Sequence, residues 1–517
     1  MRLKNQPMLR TLRERIQGAW TEETRCIGKR VLFSTILFSL AAHGFLFTNE
    51  FFSHDSISYF TYATGSVPFY ISIGRFLIPV YEWFKGAVAA PWLIGLLFLL
   101  WTALTSFLLV QLFRIRSAWG QILTSGLVCT NLSLTLTGAT YIYCMDEYAF
   151  ALFASVLAVC CFAKGRWWSL AGLVALVVSL SVYQAYFTVA ASLCLMLLLQ
   201  RLSKGESPRR TFARGGQYLA LLAAGFIAYF SVWTLICAAT GGAKQRVEES
   251  VLGSLSLGKL LHLIIDANTS YLSALFDGSG VLGWLLPIVH GVLLLLLLWR
   301  LGKILATPSM QTGSRVMLVV LVCLVPTAFH SAAILLAGTA TELMTFAGEL
   351  LYLLGIIALE PTEQEENQGS LMRILVVILL SCVLWQHMVY ANQVYMKKEL
   401  DHQATLTLAS RMIDRVELME GYVPGETPVA FVGRLDHNTY LNHGRKAFSN
   451  IQQAAGLWDD YGATYNMGRY LTDYLNYPLV WDTETDFSSR AEVEDMPDFP
   501  AAGSIAMVDG TVVVKLS

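Results

Sequence analysis

Acidic and basic residues stand at the boundaries of several long apolar runs, where ionisable side chains are costly and therefore mark candidate functional sites. Asp55, with His54 beside it, follows the first apolar run in "NEFFSHDSISYF", and Arg75 comes next in "ISIGRFLIPVYEW". Asp146 and Glu147 open a later run in "YIYCMDEYAF". A carboxylate can act as a general base toward a hydroxyl group, and an arginine can bind a phosphate through two parallel hydrogen bonds. Together, these residues could provide acid–base chemistry beside an anion-binding position.

Two further pairs of polar residues occupy comparable positions. Tyr183 and Gln184 interrupt an otherwise continuous apolar block in "SVYQAY", where a buried glutamine requires a hydrogen-bond partner. Lys244 and Arg246 follow a later apolar run in "GGAKQRVEES". Structural explanations exist as well, because tyrosine anchors membrane boundaries, loop cations are solvated, and acids are favoured at a helix N-terminus. The residues alone leave both explanations open.

The chain that must position these residues has the composition of a membrane protein. Of its 517 residues, 55% are hydrophobic and 14% are charged, against about 25% charged in soluble domains. Apolar runs long enough to cross a bilayer, which takes about 20 residues, predict about eleven transmembrane helices. They lie near residues 31–48, 87–113, 118–139, 146–163, 167–182, 184–200, 216–239, 280–299, 316–337, 343–359 and 372–394.

Basic residues are unevenly distributed between the loops, and this predicts the orientation of the chain. The amphipathic arm at 1–30 and every second later loop are rich in Lys and Arg, as expected of cytoplasmic segments. The N-terminus is therefore predicted inside, with the first apolar run retained as an anchor and not removed as a signal peptide. In this orientation all the candidate residues, and the C-terminal residues 397–517, fall on the outer side.

Residues 397–517 are predicted to form a small soluble α/β domain that follows a transmembrane domain at 31–396. "PVAFVGRL" is typical of a buried strand, and Asp509-Gly510 between two β-rich runs predicts a hairpin. The nine cysteines form no C-x-x-C pair or His/Cys cluster, which argues against a zinc or redox site. No nucleic-acid-binding motif is present, so nucleic acid is not an expected partner.

The order of several short motifs resembles the bacterial O-antigen glucosyltransferase type II family. An outer-loop aspartate in "SHDSISY" is followed by Gly74-Arg75, then by Asp146 in "CMDEYAF", and then by "SVYQAY". The closing "MPDFPAAGSIAMVDGTVVVKLS" is similar to the C-terminal signature of that family. The resemblance spans nearly the whole chain.

This resemblance implies a membrane glycosyltransferase of the C-type fold in the bacterial inner membrane, with a cytoplasmic N-terminus and a periplasmic C-terminal domain. The implied donor is a polyprenyl-phosphate sugar, made on the inner side by a sugar-lipid synthase and moved outward by a flippase. The implied acceptor is a lipid-linked or surface glycan such as the lipopolysaccharide O-antigen, which receives glucose at the outer face. In such enzymes the catalytic acidic residue lies in the first outer loop.

Applied to this sequence, the resemblance gives each candidate residue an expected role in an inverting displacement. Asp146 and Glu147 offer too few oxygen ligands to define a metal site, so none is predicted and a requirement for a divalent cation is left open. Asp55 as general base and Asp146 are the expected catalytic residues, Arg75 with Lys244 and Arg246 would bind the donor phosphate, and Tyr183, Gln184, Glu147 and His54 would contact the sugar or the acceptor.

Two other classes of membrane protein are weighed against this interpretation. A secondary transporter would carry ionisable residues near the midplane of two similar halves, whereas here they gather at the outer boundary and no half-repeat is visible. A polymerase or ligase of lipid-linked glycans also works at the outer face, and several outer arginines would be expected to bind its two lipid phosphates. Outside the C-terminal region the predicted outer loops hold few arginines, Arg75 and Arg246 among them, which favours a single lipid donor.

Overall fold

A computed structural model describes most of the chain. The residues described are 21–50, 57, 67–86, 89–165, 167–242, 244, 256–278, 283–336, 340–360, 370–434 and 467–517, without the side chains of residues 257, 370 and 401.

Helices dominate the first four-fifths of the described chain. Short 3-10 turns join several of them, notably Ile142–Cys144 and Gln184–Tyr186. The α-helices are α1 (Glu22–Thr48), α2 (Val67–Ser72), α3 (Ile78–Lys85), α4 (Pro91–Phe113), α5 (Ala118–Cys129), α6 (Leu132–Thr140), α7 (Met145–Lys164), α8 (Trp167–Leu180), α9 (Phe187–Ser203), α10 (Pro208–Thr240), α11 (Leu257–Leu275), α12 (Leu285–Leu305), α13 (Thr312–Cys323), α14 (Val325–Phe329), α15 (Ser331–Leu335), α16 (Leu350–Leu359) and α17 (Ser370–Glu417).

Within the described residues, nine helical stretches are long and apolar enough to cross a membrane. They are α1, α4, α5 with α6, α7 with its preceding turn, α9 with its preceding turn, α10, α12, α13 with α14, and α17. The two remaining predicted spans coincide with shorter apolar helices of 10–17 residues, Trp167–Leu180 and Phe346–Leu359. Such helices extend at most about 26 Å, less than the hydrocarbon core of about 30 Å. The predicted helical polytopic fold is confirmed, with nine full-length helices where about eleven were expected.

The outer surface of the bundle is apolar, whereas its centre is tightly packed. Leu96, Leu219 and Leu295 are 64–70% exposed, as suits side chains that face lipid tails. The centre is formed by α7, which packs against α4, α8 and α9 and keeps residues such as Leu152 and Val156 fully buried. The N-terminal turn of this central helix therefore has a fixed position in the fold.

The last long helix, α17, connects the bundle to the C-terminal region without a break. It contains 48 residues, which corresponds to about 72 Å of continuous helix. The boundary expected at residue 397 falls inside this helix. Its C-terminal part contributes Leu408, Met412 and Val416 to the apolar core of the C-terminal region, so the transmembrane span and the first helix of that region are one element.

A four-stranded mixed sheet completes the C-terminal region. Its strands are β1 (Pro428–Val432), β2 (Val480–Trp481), β3 (Ile505–Val508) and β4 (Thr511–Lys515), and a short helix, α18 (Ala491–Glu494), precedes β3. The strand order is β2-β1-β4-β3, with β1 parallel to β2 and β4, and β3 antiparallel to β4. Asp509 and Gly510 adopt positive φ angles of 47° and 80°, as a two-residue hairpin turn requires. The predicted strand, hairpin and small α/β region are confirmed.

Candidate functional site

Arg75 lies on the turn between the short helices α2 and α3, where two tyrosines hold its guanidinium. Its Nη1 donates a hydrogen bond of 2.7 Å to Tyr148 Oη, and its Cζ lies 5.6 Å and 5.3 Å from the ring centroids of Tyr148 and Tyr183. The two rings stack on each other at 4.0 Å. Arg75 is half-buried, and its Nε is buried without a hydrogen-bond partner. Among the described residues, no carboxylate forms a salt bridge with it.

Neighbouring helices fix the backbone that carries Arg75. Gln184 Nε2 donates to the carbonyl oxygen of Ile73 at 2.9 Å and to Tyr229 Oη at 3.0 Å. Tyr229 Oη in turn donates to the carbonyl oxygen of Gly74 at 3.1 Å, and Trp233 Nε1 donates to that of Ile71 at 2.6 Å. Residues of α10 and of the turn before α9 thus position the guanidinium through its own backbone.

Replacement of Gly74 by alanine is expected to destabilise the protein by about 2 kcal/mol or more. Gly74 has a φ of +78°, and a Cβ atom there would lie 2.1 Å from Tyr229 Oη. The hydrogen bonds that hold the Arg75 turn would have to break or shift. Thermal unfolding in detergent provides the measurement.

Gly216→Ala is the matched control for this substitution. It lies within α10, and an added Cβ atom would meet nothing within 4 Å. In a helix interior the change should be neutral or stabilising by up to about 1 kcal/mol. Equal unfolding temperatures for the two variants would contradict the proposed role of the Gly74 turn.

A second group of charges surrounds Lys85, the last residue of α3. Lys85 Nζ lies 3.1 Å from Asp146 Oδ1 and 2.9 Å from Glu147 Oε1, and donates to the carbonyl oxygen of Tyr143 at 2.9 Å. Both carboxylates are fully buried and Lys85 is 8% exposed. Burial by itself would lower the pKa of Lys85, but the negative charges of Glu147 and Asp146 outweigh it and raise that pKa above its ordinary value. Lys85 is therefore charged at neutral pH.

The two groups of charges meet in the first turn of α7. Asp146 and Glu147 bind Lys85, and the next residue, Tyr148, binds Arg75. Two acids in the first turn also suit the positive end of the helix dipole. The arrangement places a guanidinium with no described acidic partner beside two buried carboxylates that Lys85 holds, and the guanidinium is a candidate anion-binding group.

The comparisons with known proteins agree with this picture. The model of the family described as Glucosyl transferase GtrII matches residues 44–362. The chain belongs to this family. The comparisons with curated proteins and with solved structures gave no match. Membership in the GtrII family confirms the resemblance recognised in the sequence motifs and makes the protein a glycosyltransferase with a multi-pass membrane domain.

The matched range contains every predicted site residue, and the structure brings several of them together. Arg75, Asp146, Glu147, Tyr183 and Gln184 surround the turn before α3 and the first turn of α7. In this arrangement the side-chain amide of Gln184 donates hydrogen bonds to the carbonyl oxygen of Ile73 and to Tyr229 Oη. The hydroxyl of Tyr183 donates to the carbonyl oxygen of residue 343 at 3.3 Å. The expected sugar contacts of these residues stay predictions.

Lys244 lies apart from the guanidinium, beyond the C-terminal end of α10. Its Nζ donates to Thr234 Oγ1 at 2.7 Å and lies 3.9 Å and 4.8 Å from the ring centroids of Phe230 and Trp233. Trp233, whose ring it approaches, donates a hydrogen bond to the carbonyl oxygen of Ile71 in the segment that carries Arg75. Its expected role as a phosphate ligand stays a prediction.

His54, Asp55 and Arg246 lie outside the described residues. Ile57, two positions after Asp55 in the sequence, is described and is fully buried in the apolar core of the C-terminal region, together with Leu408 and Tyr470. The segment between α1 and α2 is therefore in contact with the C-terminal region at this residue.

Sequence reasoning missed Lys85, Tyr148 and Tyr229. Between the first two spans, residues 49–90, the only lysine or arginine residues are Arg75 and Lys85. Since two adjacent acids at the start of an apolar span require a counter-charge, this count could have identified Lys85. Among the described residues, no group of three or more His, Cys, Asp or Glu side chains could hold a metal ion.

Proposed function

We propose that the protein transfers a hexosyl group, glucose according to its family, from a polyprenyl-phosphate donor to a hydroxyl of a lipid-linked or surface glycan such as the O-antigen. The reaction takes place at the outer face of the bacterial inner membrane. A sugar-lipid synthase and a flippase would supply the donor. The observation that carries the proposal is the half-buried Arg75 guanidinium, which two tyrosines hold and no described carboxylate neutralises.

A guanidinium in this position favours an anionic ligand. Withdrawal of a cation from water is costly unless an anion compensates it, and a phosphate can accept two parallel hydrogen bonds from arginine. Polyprenyl phosphate is the leaving group of the proposed reaction, and negative charge builds on its oxygen as the glycosidic bond breaks. Arg75, already fixed by Tyr148 and the Gly74 turn, would stabilise that charge without reorganisation.

The proposed displacement needs a base for the acceptor. Asp55 would accept the proton of the acceptor hydroxyl as its oxygen attacks the anomeric carbon, while the bond from that carbon to the phosphate oxygen breaks with inversion. Polyprenyl phosphate leaves with the bonding electrons. Tyr183, Gln184, Glu147 and His54 stay candidates for contacts with the sugar or the acceptor.

Asp146 is proposed to act in the site through Lys85. Its carboxylate is buried and in contact with the Lys85 ammonium. The ion cluster therefore supports a fixed first turn of α7, from which Tyr148 reaches Arg75. A direct catalytic contact of Asp146 with the acceptor would require this cluster to open.

Asp55→Asn is expected to lower transfer about 100-fold, which lies within the usual contribution of a general base. Membranes with matched protein levels would be supplied with radiolabelled polyprenyl-phosphate glucose and lipid-linked glycan, and label in the glycan would be counted. Asp266→Asn, an exposed aspartate of α11, is the control and should keep wild-type activity.

The donor is tested in the same assay. Nucleotide-activated glucose should support no transfer in membranes that lack the sugar-lipid synthase. Full activity of Asp55→Asn would refute the assigned base. Transfer of a whole lipid-linked oligosaccharide in place of a single hexose would instead support the polymerase or ligase alternative.

A further inference from the structure

A cavity of about 590 Å³ lies between α9, α11, α12, α13 and α16, well away from Arg75. Its size falls within the range of about 300–1,000 Å³ that is usual for small-molecule sites. Its walls are largely apolar, with leucine the commonest residue, and two of the leucines, Leu272 and Leu298, are 45% and 59% exposed on the surface of the bundle. The cavity therefore opens sideways, toward the space that lipid tails would occupy.

One end of this cavity is strongly basic. Arg114, Arg116, Lys204 and Arg300 line it, and Glu360 is the only acid among the described residues of the lining. Glu360 is already occupied, because its carboxylate accepts hydrogen bonds of 2.7 Å from the backbone N–H groups of Arg116 and Ser117 and one of 2.8 Å from Ser117 Oγ. Among the described residues, Arg114 and Lys204 form no salt bridge where the apolar cavity ends.

The basic end lies a full helix length from the candidate glycosyltransferase site. α4 begins close after Lys85 and ends at Phe113, next to Arg114, and its 23 residues extend about 34 Å. α9 begins just after Gln184 and ends next to Lys204, and its 17 residues extend about 25 Å. The two positions are therefore at opposite ends of the same helices, and the cavity is not part of the candidate active site.

Two local features concern the cations at this end of the cavity. Arg114 caps α4 in the left-handed conformation, with a φ of 56°, a position in which glycine is less strained. Burial, followed by the positive charges of Arg114 and Arg116, lowers the pKa of Lys204. A bound anion would offset the positive charge around Lys204.

We propose that this cavity binds an anionic phospholipid of the surrounding bilayer, with the headgroup phosphate between Arg114 and Lys204 and an acyl chain along the leucine wall. Charge complementarity selects an anionic headgroup, and the sideways opening selects a molecule already in the membrane. The loops concerned are those whose Lys and Arg content predicts a cytoplasmic location, where anionic lipids attract basic segments. The proposal does not depend on the donor or the acceptor of the glycosyltransferase reaction.

The test uses the full-length protein in nanodiscs that contain phosphatidylglycerol and phosphatidylcholine, followed by native mass spectrometry of the lipids that remain bound. Wild type should retain phosphatidylglycerol preferentially. The double variant Arg114→Gly, Lys204→Gln should lose about 30-fold in affinity for it, since each cation near an anionic headgroup contributes the equivalent of about fivefold. Because glycine suits the backbone at position 114, the variant should stay folded, with an unfolding temperature in phosphatidylcholine no lower than that of wild type.

The matched control is the double variant Arg209→Gln, Arg210→Gln. These arginines are exposed at the start of α10, close in sequence to Lys204, and removing them changes the net charge equally. Retention of phosphatidylglycerol by this control, and its loss from the cavity variant, would support the site. Equal retention of the two lipids by wild type, equal effects of the two double variants, or displacement of phosphatidylglycerol by polyprenyl phosphate at equimolar amounts would overturn the proposal.

Discussion

Arg75→Ala is expected to lower the rate of glucosyl transfer about 1,000-fold, the scale of losing a preorganised cationic group at a phosphate leaving group. The folded protein should survive the change. Arg75 makes one side-chain hydrogen bond and two contacts with tyrosine rings, and it is not fully buried. Its removal therefore costs little packing, whereas the leaving phosphate loses its cation.

Arg75→Lys separates charge from geometry. A lysine keeps the positive charge but lacks the planar guanidinium that donates two parallel hydrogen bonds and contacts the rings of Tyr148 and Tyr183. The rate of transfer should therefore still fall about 100-fold. Initial rates at saturating donor, with the unfolding temperature of each variant in the same detergent, are the measurements. Arg209→Gln, at the far end of α10, is the control for loss of one cation. Wild-type rates for Arg75→Ala would remove the guanidinium from the reaction and with it the main support for the proposed function.

The sequence predicted the helices well because hydropathy and length alone decide whether a segment can cross a membrane. It overestimated the number of full-length spans because an apolar run does not reveal where a helix ends. The run near 167–182 becomes a helix that stops at Leu180, and the following residues form the turn that carries Tyr183 and Gln184. That break serves the site, since Gln184 donates from this turn to the carbonyl oxygen of Ile73, next to Gly74.

The site was predicted in part, for a related reason. Asp146 and Glu147 were identified because acids at the edge of an apolar span are conspicuous, and Arg75 because it stands alone among apolar residues. Lys85 was missed because a lysine between two apolar runs is usually solvated, and the structure adds the contacts of its ammonium with Asp146 and Glu147. Tyr148 and Tyr229 lie on apolar helices, where a tyrosine that binds a functional group cannot be distinguished by sequence from one that packs.

Lys85→Met is expected to destabilise the protein by about 3–5 kcal/mol, because removing one partner of a buried ion cluster leaves the others without compensation. Two carboxylates, Asp146 and Glu147, would remain in a fully buried position with no lysine beside them. The apparent unfolding temperature in detergent, followed by intrinsic fluorescence, provides the measurement. Lys259→Met, an exposed lysine of α11, is the control and should unfold like wild type.

The pH dependence of the wild type follows from the same cluster. The pKa of Lys85 is raised in the folded state, so its contribution to stability is fully present below the unfolded-state pKa of about 10.4 and is lost only as the pH rises through the higher folded-state value. The contribution of Lys85 should therefore be constant between about pH 6 and pH 9. A stability difference between wild type and Lys85→Met that shrank as the pH was raised within that window would contradict the assignment.

Replacing all three charged residues of this cluster by neutral ones separates their effect on stability from their effect on function. The triple variant Lys85→Met, Asp146→Asn, Glu147→Gln removes all three charges together, and replacing a buried ion cluster as a unit is often neutral for stability. It should recover most of the unfolding temperature lost in Lys85→Met, because the two carboxylates that Lys85→Met leaves unpaired are also neutralised. Its transfer activity should stay low, because the first turn of α7 loses the ion pairs that position Tyr148 against Arg75. A triple variant that is as active as wild type would show that the cluster serves the fold alone, and one as unstable as Lys85→Met would show that the charges were not the source of the instability.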